Sequence, residues 1–354
     1  MSRRRRSRGT SGPGAGLRGV KSDTSPPDAG GTRSAAATAR AAAVAVAAPR
    51  TELGWAWAVE WMFGPQPIER LILLRIVVPL AVLGFLSSRL IHADEWLSPT
   101  GFHVPDLGGG DWRQPLFLPA IPAWAAWAIA VTTAVAGICV VVGFRPRAAA
   151  VAFAALVAYL VLADRLEAFT VSKLAPVLSL ALAASPCGAR FGVDAWLQRR
   201  ASVSAPPPPE QVTGGTVRFF QVFLAVMYSG SGIAKARGDW FSGDVLWSHL
   251  HDNYQTALGW HVMNALPAGA WRILQDVTLT FELGAPLWFV LPWTRTPALV
   301  IGLGMHTMIG LMFGPVIWFA LLMGGMLIAC YAPMRLRRSR GAADGPPRAP
   351  HGAC

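Results

Sequence analysis

The sequence predicts an all-α fold: a polytopic membrane helical bundle of about eight transmembrane helices, with both termini cytoplasmic. Three observations carry this expectation. Hydrophobic residues make up 53% of the 354-residue chain and charged residues only 14%, against about 25% charged in an average soluble domain. Apolar stretches close to the ~20 residues needed to cross ~30 Å of hydrocarbon recur along the chain. Basic residues fall on alternate connections between them, as the positive-inside rule requires.

The first 50 residues are rich in Arg, Ser, Gly and Ala and hold 10 Lys/Arg against 2 Asp. With few large apolar side chains they cannot offset the entropy of ordering, so 1–50 is expected to be a disordered basic tail. The apolar run before Pro49 lies far from the initiator and Arg40 interrupts its approach, which argues against a cleaved signal. Residues 51–67 include three tryptophans, Trp55, Trp57 and Trp61. They are too short to span and suited to lying in the interface.

The apolar stretches run over 68–90, 121–143, 147–164, 168–187, 216–236, 270–292, 296–313 and 315–333. Pro146, Pro292, Pro297 and Gly314–Pro315 punctuate the tight connections. With the N-terminus inside, the inner loops carry Arg145 and Arg147, then Arg190, Arg199 and Arg200, then Arg295. The outer loop 91–120 holds Asp94, Glu95, Asp106 and Asp111 against Arg113, and segment 237–269 holds Asp239, Asp244 and Asp252. Residues 201–215, with the Pro206–Pro209 run, read as a cytoplasmic linker. A second basic tail, 334–354, closes the chain.

The formal charge of +12 resides in these tails, because residues 51–334 balance at 16 basic against 16 acidic. Nucleic acid is therefore not an expected partner; the lipid bilayer is. Four scattered cysteines, Cys139, Cys187, Cys330 and Cys354, have neither disulfide-framework nor metal-ligand spacing. No nucleotide-binding glycine motif and no HExxH occurs. His249 and His251 with Asp252 form a short polar cluster in an outer loop, read as solvated, and no metal site is expected.

Ionisable residues inside a bilayer are costly and each needs a reason. Arg75 in the first stretch and Lys173 in the fourth are placed to snorkel. The densest polar segment is Y-S-G-S-G-I-A-K-A-R-G-D-W-F-S-G, residues 228–243. Tyr228, Ser231, Gly232 and Lys235 share one helical face, and Gly232 and Ser231 let another helix approach closely. Lys235 has two readings. It is a snorkelling anchor paired with Trp240 at headgroup level, or it is a general base, which needs an apolar surrounding that disfavours the ammonium. Glu282 sits four residues before Pro286, which removes the donor to its backbone carbonyl. His306 lies in the adjacent antiparallel stretch, where the two are placed to pair, either as a structural clamp or as part of a site.

The run Tyr228-x-x-Ser231-Gly232-x-x-Lys235-x-x-x-x-Trp240-x-x-Gly243 resembles the helix-to-loop segment of the vitamin K-dependent gamma-carboxylase-like membrane family, the horizontally transferred transmembrane (HTTM) domain. Glu282 with Pro286, then Thr294–Arg295, then His306 is similar to that family's order of Glu, Pro, Thr-Arg and His. Pro186-Cys187-Gly188 followed by Val193-Asp194-Ala195-Trp196 resembles its helix-end segment. The resemblance covers roughly 67–333.

It implies a reduced quinone, a vitamin K-like hydroquinone, as cofactor, with Lys235 as the base that deprotonates it. Tyr228, His306 and Glu282 would complete the catalytic set. Ser231, Gly232, Trp240, Gly243 and Arg295 would hold the substrate. In the animal carboxylases, oxidation of the hydroquinone by O2 yields a base strong enough to deprotonate glutamate, which CO2 then captures. The family's adjacent lysine pair is here Ala234–Lys235, and this chain ends soon after the eighth stretch where the carboxylases continue into a large lumenal region. Glutamate carboxylation itself is therefore not expected to transfer. Bacterial members include the membrane component that helps mature a sporulation-delaying peptide toxin, which implies an alternative: a non-enzymatic accessory factor for maturing or exporting a secreted peptide. A secondary transporter using Glu282 and His306 ranks last, because the two halves show no repeat.

Overall fold

The computed structural model describes residues 50–101, 118–164, 169–201, 207–250 and 255–334. Residues 1–49 and 335–354 of the basic tails, Asp106, Asp111 and Arg113, residues 165–168, and His251 with Asp252 lie outside the described residues. Residues 1–57 and 58–354 form two units, and the packing below is that of the second.

The chain is mostly helical. A helix α1 (Arg50–Phe63) and a short strand β1 (Pro65–Pro67) lead into α2 (Ile68–Leu90), α3 (Ala93–Leu97), α4 (Ala123–Val142), α5 (Pro146–Ala163), α6 (Thr170–Ala183) and α7 (Val193–Ala201). Strand β2 (Gln211–Thr213) precedes α8 (Gly215–Ala236), a 3-10 turn at Asp239–Ser242, α9 (Val245–Leu250), α10 (Ala257–Ala265), α11 (Ala268–Val290), α12 (Pro292–Met312), a second 3-10 turn at Gly314–Val316, and α13 (Ile317–Tyr331).

Each of the eight apolar stretches lies on one of these helices. Among the described residues, α2, α4, α5 and α8 are long and apolar enough to cross a membrane. α6 and α13 are apolar but shorter. α6 stops at Ala183, ahead of the turn at Pro186, because the residue before a proline disfavours the helical conformation. α11 and α12 have the length, at 23 and 21 residues, but carry Asp276, Glu282, Arg295 and His306 among their apolar side chains.

α2 is the hub. Its buried residues Leu71, Leu74, Val78, Val82 and Leu86 recur at helical spacing, and it packs against α4, α6 and α13. Gly84 lies against the Trp318 ring and Gly325 against Val77, so α2 and α13 meet through bare backbone, the usual device where lipid offers no hydrophobic drive for helix association. α8 packs on α11, α11 on α12 and α12 on α13, which carries the C-terminal helices back to the hub.

One finding adds to the sequence expectations and another corrects them. Within a mostly helical chain, β1 and β2 pair antiparallel with Gln66 opposite Val212. Prolines at 65 and 67 favour an extended backbone, and part of the expected linker is thereby fixed to the residues that precede α2. Arg75 does not snorkel; it is 1% exposed. Its guanidinium donates to the carbonyls of Cys187 (3.1 Å) and Phe191 (2.5 Å). Gly143, at φ 72°, and Gly192 leave room for that guanidinium, since a Cβ at either would meet Nη1. Asp194 closes the same junction by accepting from the Arg145 backbone N–H at 2.8 Å. Lys173 is exposed on α6.

Replacing Arg75 with Leu leaves two carbonyls without their donor and is expected to cost about 3 kcal/mol. The measurement is the thermal midpoint in detergent, followed by tryptophan fluorescence. An unchanged midpoint would show that the guanidinium does not hold this junction.

Candidate functional site

The site forms where the last two turns of α8 meet the middle of α11. Tyr228 and Gly232 are buried on α8, with Ser231 and Lys235 half-buried on the same face, as the i, i+3, i+4, i+7 spacing requires. Gly232 sets the approach of the two helices. A Cβ there would lie 2.8 Å from the Leu283 backbone nitrogen and 3.1 Å from Glu282 Cβ. Only glycine lets α8 settle against the backbone of α11 at that level, and this closeness brings Glu282 under Lys235.

Lys235 Nζ donates to Glu282 Oε1, forming an ion pair, and to Ser231 Oγ at 3.2 Å. Its ammonium also lies over the Trp240 ring, 4.8 Å from the centroid, within the range of a cation–π contact. The Glu282 side chain is 7% exposed and that of Lys235 23%. The lysine thus bends back onto α11 rather than reaching outward as a free snorkel. Glu282 Oε2 has no hydrogen-bond partner among the described residues.

A second polar pair sits two helical turns along α8, ~10 Å away. The Tyr228 hydroxyl and His306 Nε2 are 2.7 Å apart, both residues buried. Phe281 stands edge-on to the Tyr228 ring at 5.1 Å. The expected pairing of Glu282 with His306 is therefore corrected. Gly232 draws Glu282 toward α8, where Lys235 takes it, and His306 finds the tyrosine instead.

The remaining expected residues separate into two groups. Trp240 joins the site directly. Gly243 adopts φ 87°, a left-handed conformation open to glycine at little cost, and a Cβ there would lie 3.0 Å from the Arg272 side chain. It shapes the turn after the 3-10 segment. Arg295 is not brought to Lys235; it donates to the carbonyls of Phe289 and Val290 at the end of α11. Thr294 Oγ1 caps the Trp288 carbonyl at 2.7 Å, so the Thr-Arg pair closes the α11–α12 turn.

One residue escaped the sequence reading. Gln275, fully buried on α11, donates to the Trp240 carbonyl and accepts from the Leu246 backbone N–H at 3.0 Å. It fastens the 3-10 turn and the start of α9 above the lysine. The available signal was its position seven residues before Glu282, on the same helical face.

Beside the ion pair lies a cavity of about 490 Å³. Lys235 and Trp240 line one side and Thr278, Gly304, Met305 and Met308 another. His249 also lines it. No group of three or more His, Cys, Asp and Glu side chains suited to a metal occurs among the described residues. The volume and apolar lining, with an ammonium, a hydroxyl and the His249 imidazole at hand, are those of a site for a small lipophilic molecule.

A family model of the HTTM domain matches residues 64–332. No curated protein and no solved structure matches the chain.

Replacing Gly232 with Val is expected to force α8 away from the α11 backbone and to part Lys235 from Glu282, at a cost of about 1–3 kcal/mol. Thermal unfolding measures the cost, and faster modification of Lys235 by a membrane-impermeant amine reagent measures the separation. A variant with unchanged stability and unchanged lysine reactivity would refute this role for the glycine.

Proposed function

The chain belongs to the HTTM domain family, a family of transmembrane domains related to the vitamin K-dependent carboxylase, and from that premise we propose that Lys235 serves as a base toward a lipophilic quinol at the extracytoplasmic face of a bacterial cell membrane. The proposed topology has eight crossings with both termini cytoplasmic. Positive-inside loops and the eight helices on the apolar stretches support it.

The observation that carries the chemistry is Lys235, held by Glu282, at the wall of an apolar cavity. Glu282 fixes the place of the lysine amine through the ion pair, and the half-buried lysine presents it to the cavity. Ser231 accepts from the amine and keeps it directed along α11. Trp240 holds the ammonium once a proton returns to it, through its ring face. A quinol bound in the cavity would supply an acidic hydroxyl and reducing electrons. The residues fit such a group: an apolar wall for its ring, the lysine for its hydroxyl, and Thr278 as a second polar contact. Tyr228 and His306 position the α8–α12 contact.

A second reading, an accessory factor for maturing or exporting a secreted peptide, draws on the exposed Phe241, Trp247 and Trp260. These stand on the elements that follow α8 and give an apolar surface where a peptide would dock.

Membranes containing the full chain, supplied with a reduced naphthoquinone, O2, labelled bicarbonate and glutamate-containing peptides, separate the two. Lys235→Ala is expected to lower quinol oxidation at least about 100-fold, the usual worth of a general base, with membrane insertion intact. Gly304 has nothing within 4 Å of an added Cβ, so Gly304→Leu fills the cavity without moving backbone and is expected to stop turnover as well. Unaltered oxidation in both variants would sink the enzymatic reading. A peptide precursor that co-purifies equally with wild type and Lys235→Ala would support the accessory role.

A further inference from the structure

We propose that a second cavity, on the opposite side of α12 from Lys235, binds a lipid-soluble molecule bearing one hydrogen-bonding oxygen, which His306 receives through Nδ1. This inference goes beyond the base chemistry of Lys235 and does not depend on it.

The cavity measures about 810 Å³ and lies between α2, α12 and α13. α12 partitions it from the first: Met305 and Met308 face the lysine side, whereas His306 and Thr307 face this one. Its walls include Gly84, Gly310 and Gly324, with the Trp318 indole among the lining. Gly324, where an added Cβ would meet only Leu303 Cδ2 at 3.7 Å, leaves helix backbone bare and opens a groove that a larger side chain would fill.

The polar floor points to the ligand. His306 is 3% exposed, and its Nε2 is engaged by Tyr228 at 2.7 Å. Nδ1, on the other side of the ring, is buried and has no hydrogen-bond partner among the described residues. Lipid tails offer such a nitrogen nothing, and a buried polar atom without a partner is costly. A ligand oxygen in the cavity supplies the missing bond. When the Tyr228 hydroxyl donates to Nε2, Nδ1 carries the proton and takes a carbonyl; in the other tautomer it takes a hydroxyl. His306 lies six residues before the end of α12 at Met312, ~9 Å along the helix. The oxygen must therefore sit below the headgroup layer, which a phosphate headgroup does not do. A long-chain ketone or alcohol does.

The test uses the full chain in phosphatidylcholine vesicles, irradiated with a diazirine-bearing long-chain ketone, the matched alcohol or the matched alkane, with adducts mapped by mass spectrometry. Saturable labelling of Thr307, Gly310 and Leu311 and of residues 317–328 by the ketone or the alcohol is expected, about tenfold above the alkane. His306→Phe keeps the ring and removes the nitrogen, and should erase that preference. Gly324→Leu guards against a folding defect in the first variant, because an added Cβ there meets only Leu303 Cδ2 at 3.7 Å; it should abolish labelling by filling the groove. Gly304→Leu, which fills the lysine cavity, should leave labelling unchanged, so this inference and the base chemistry fail separately. Equal labelling by all three probes, indifference to both His306→Phe and Gly324→Leu, or loss of labelling in Gly304→Leu would each overturn the proposal.

Discussion

An ammonium and a carboxylate pressed together between α8 and α11 form the constraint on which the C-terminal half of the protein depends. Neither charge is tolerable alone at that level of a membrane, where the desolvation of an unpaired ion far exceeds what one hydrogen bond returns. Pairing them demands that two helices approach almost backbone to backbone, and Gly232 provides the approach. The indole of Trp240 and the hydroxyl of Ser231 complete the shell of the ammonium. Gln275 in turn fixes the turn that carries Trp240. Each supporting residue serves the geometry of one ion pair, and the apolar cavity beside it is the space the pair overlooks.

α12 has a double duty that its composition reflects. One face lines the lysine cavity with methionines and isoleucines, while the other carries His306 toward α8 and a larger groove. Together with Glu282, Asp276 and Gln275 on α11, these polar residues explain why two helices of membrane length are less apolar than α4. The side chains that make the site are the same ones that dilute the hydrophobic signal.

The sequence disclosed the helices well, because long apolar runs bounded by proline and glycine leave little choice of element. It also disclosed the α8 face, since four polar or small residues at helical spacing mark a contact whatever its purpose. Partner choice was less legible. Glu282 and His306 are equally placed to pair by depth alone, and what decides between them is the lateral closeness that Gly232 permits, a tertiary property. Arg75 misled for a related reason: a guanidinium in an apolar helix reads as a snorkel until the carbonyls of residues 187 and 191 are known to lie within reach. Gln275 carried no motif and was silent until the turn it holds was in view. The β1–β2 pairing joins segments nearly 150 residues apart in sequence, beyond the reach of any local pattern.

The Arg75 junction also bears on how the protein is made. The acceptors of this guanidinium lie 112 and 116 residues downstream, and at 5–20 residues per second the ribosome delivers them roughly 6–23 s after Arg75 itself. During that interval α2, the first hub to enter the bilayer, holds a cation without its final partners. Either the translocation machinery or water at the membrane edge must shelter it. The hub can lock only after α4, α5 and α6 have emerged, so assembly is timed by a residue near its beginning that waits for a loop near its middle.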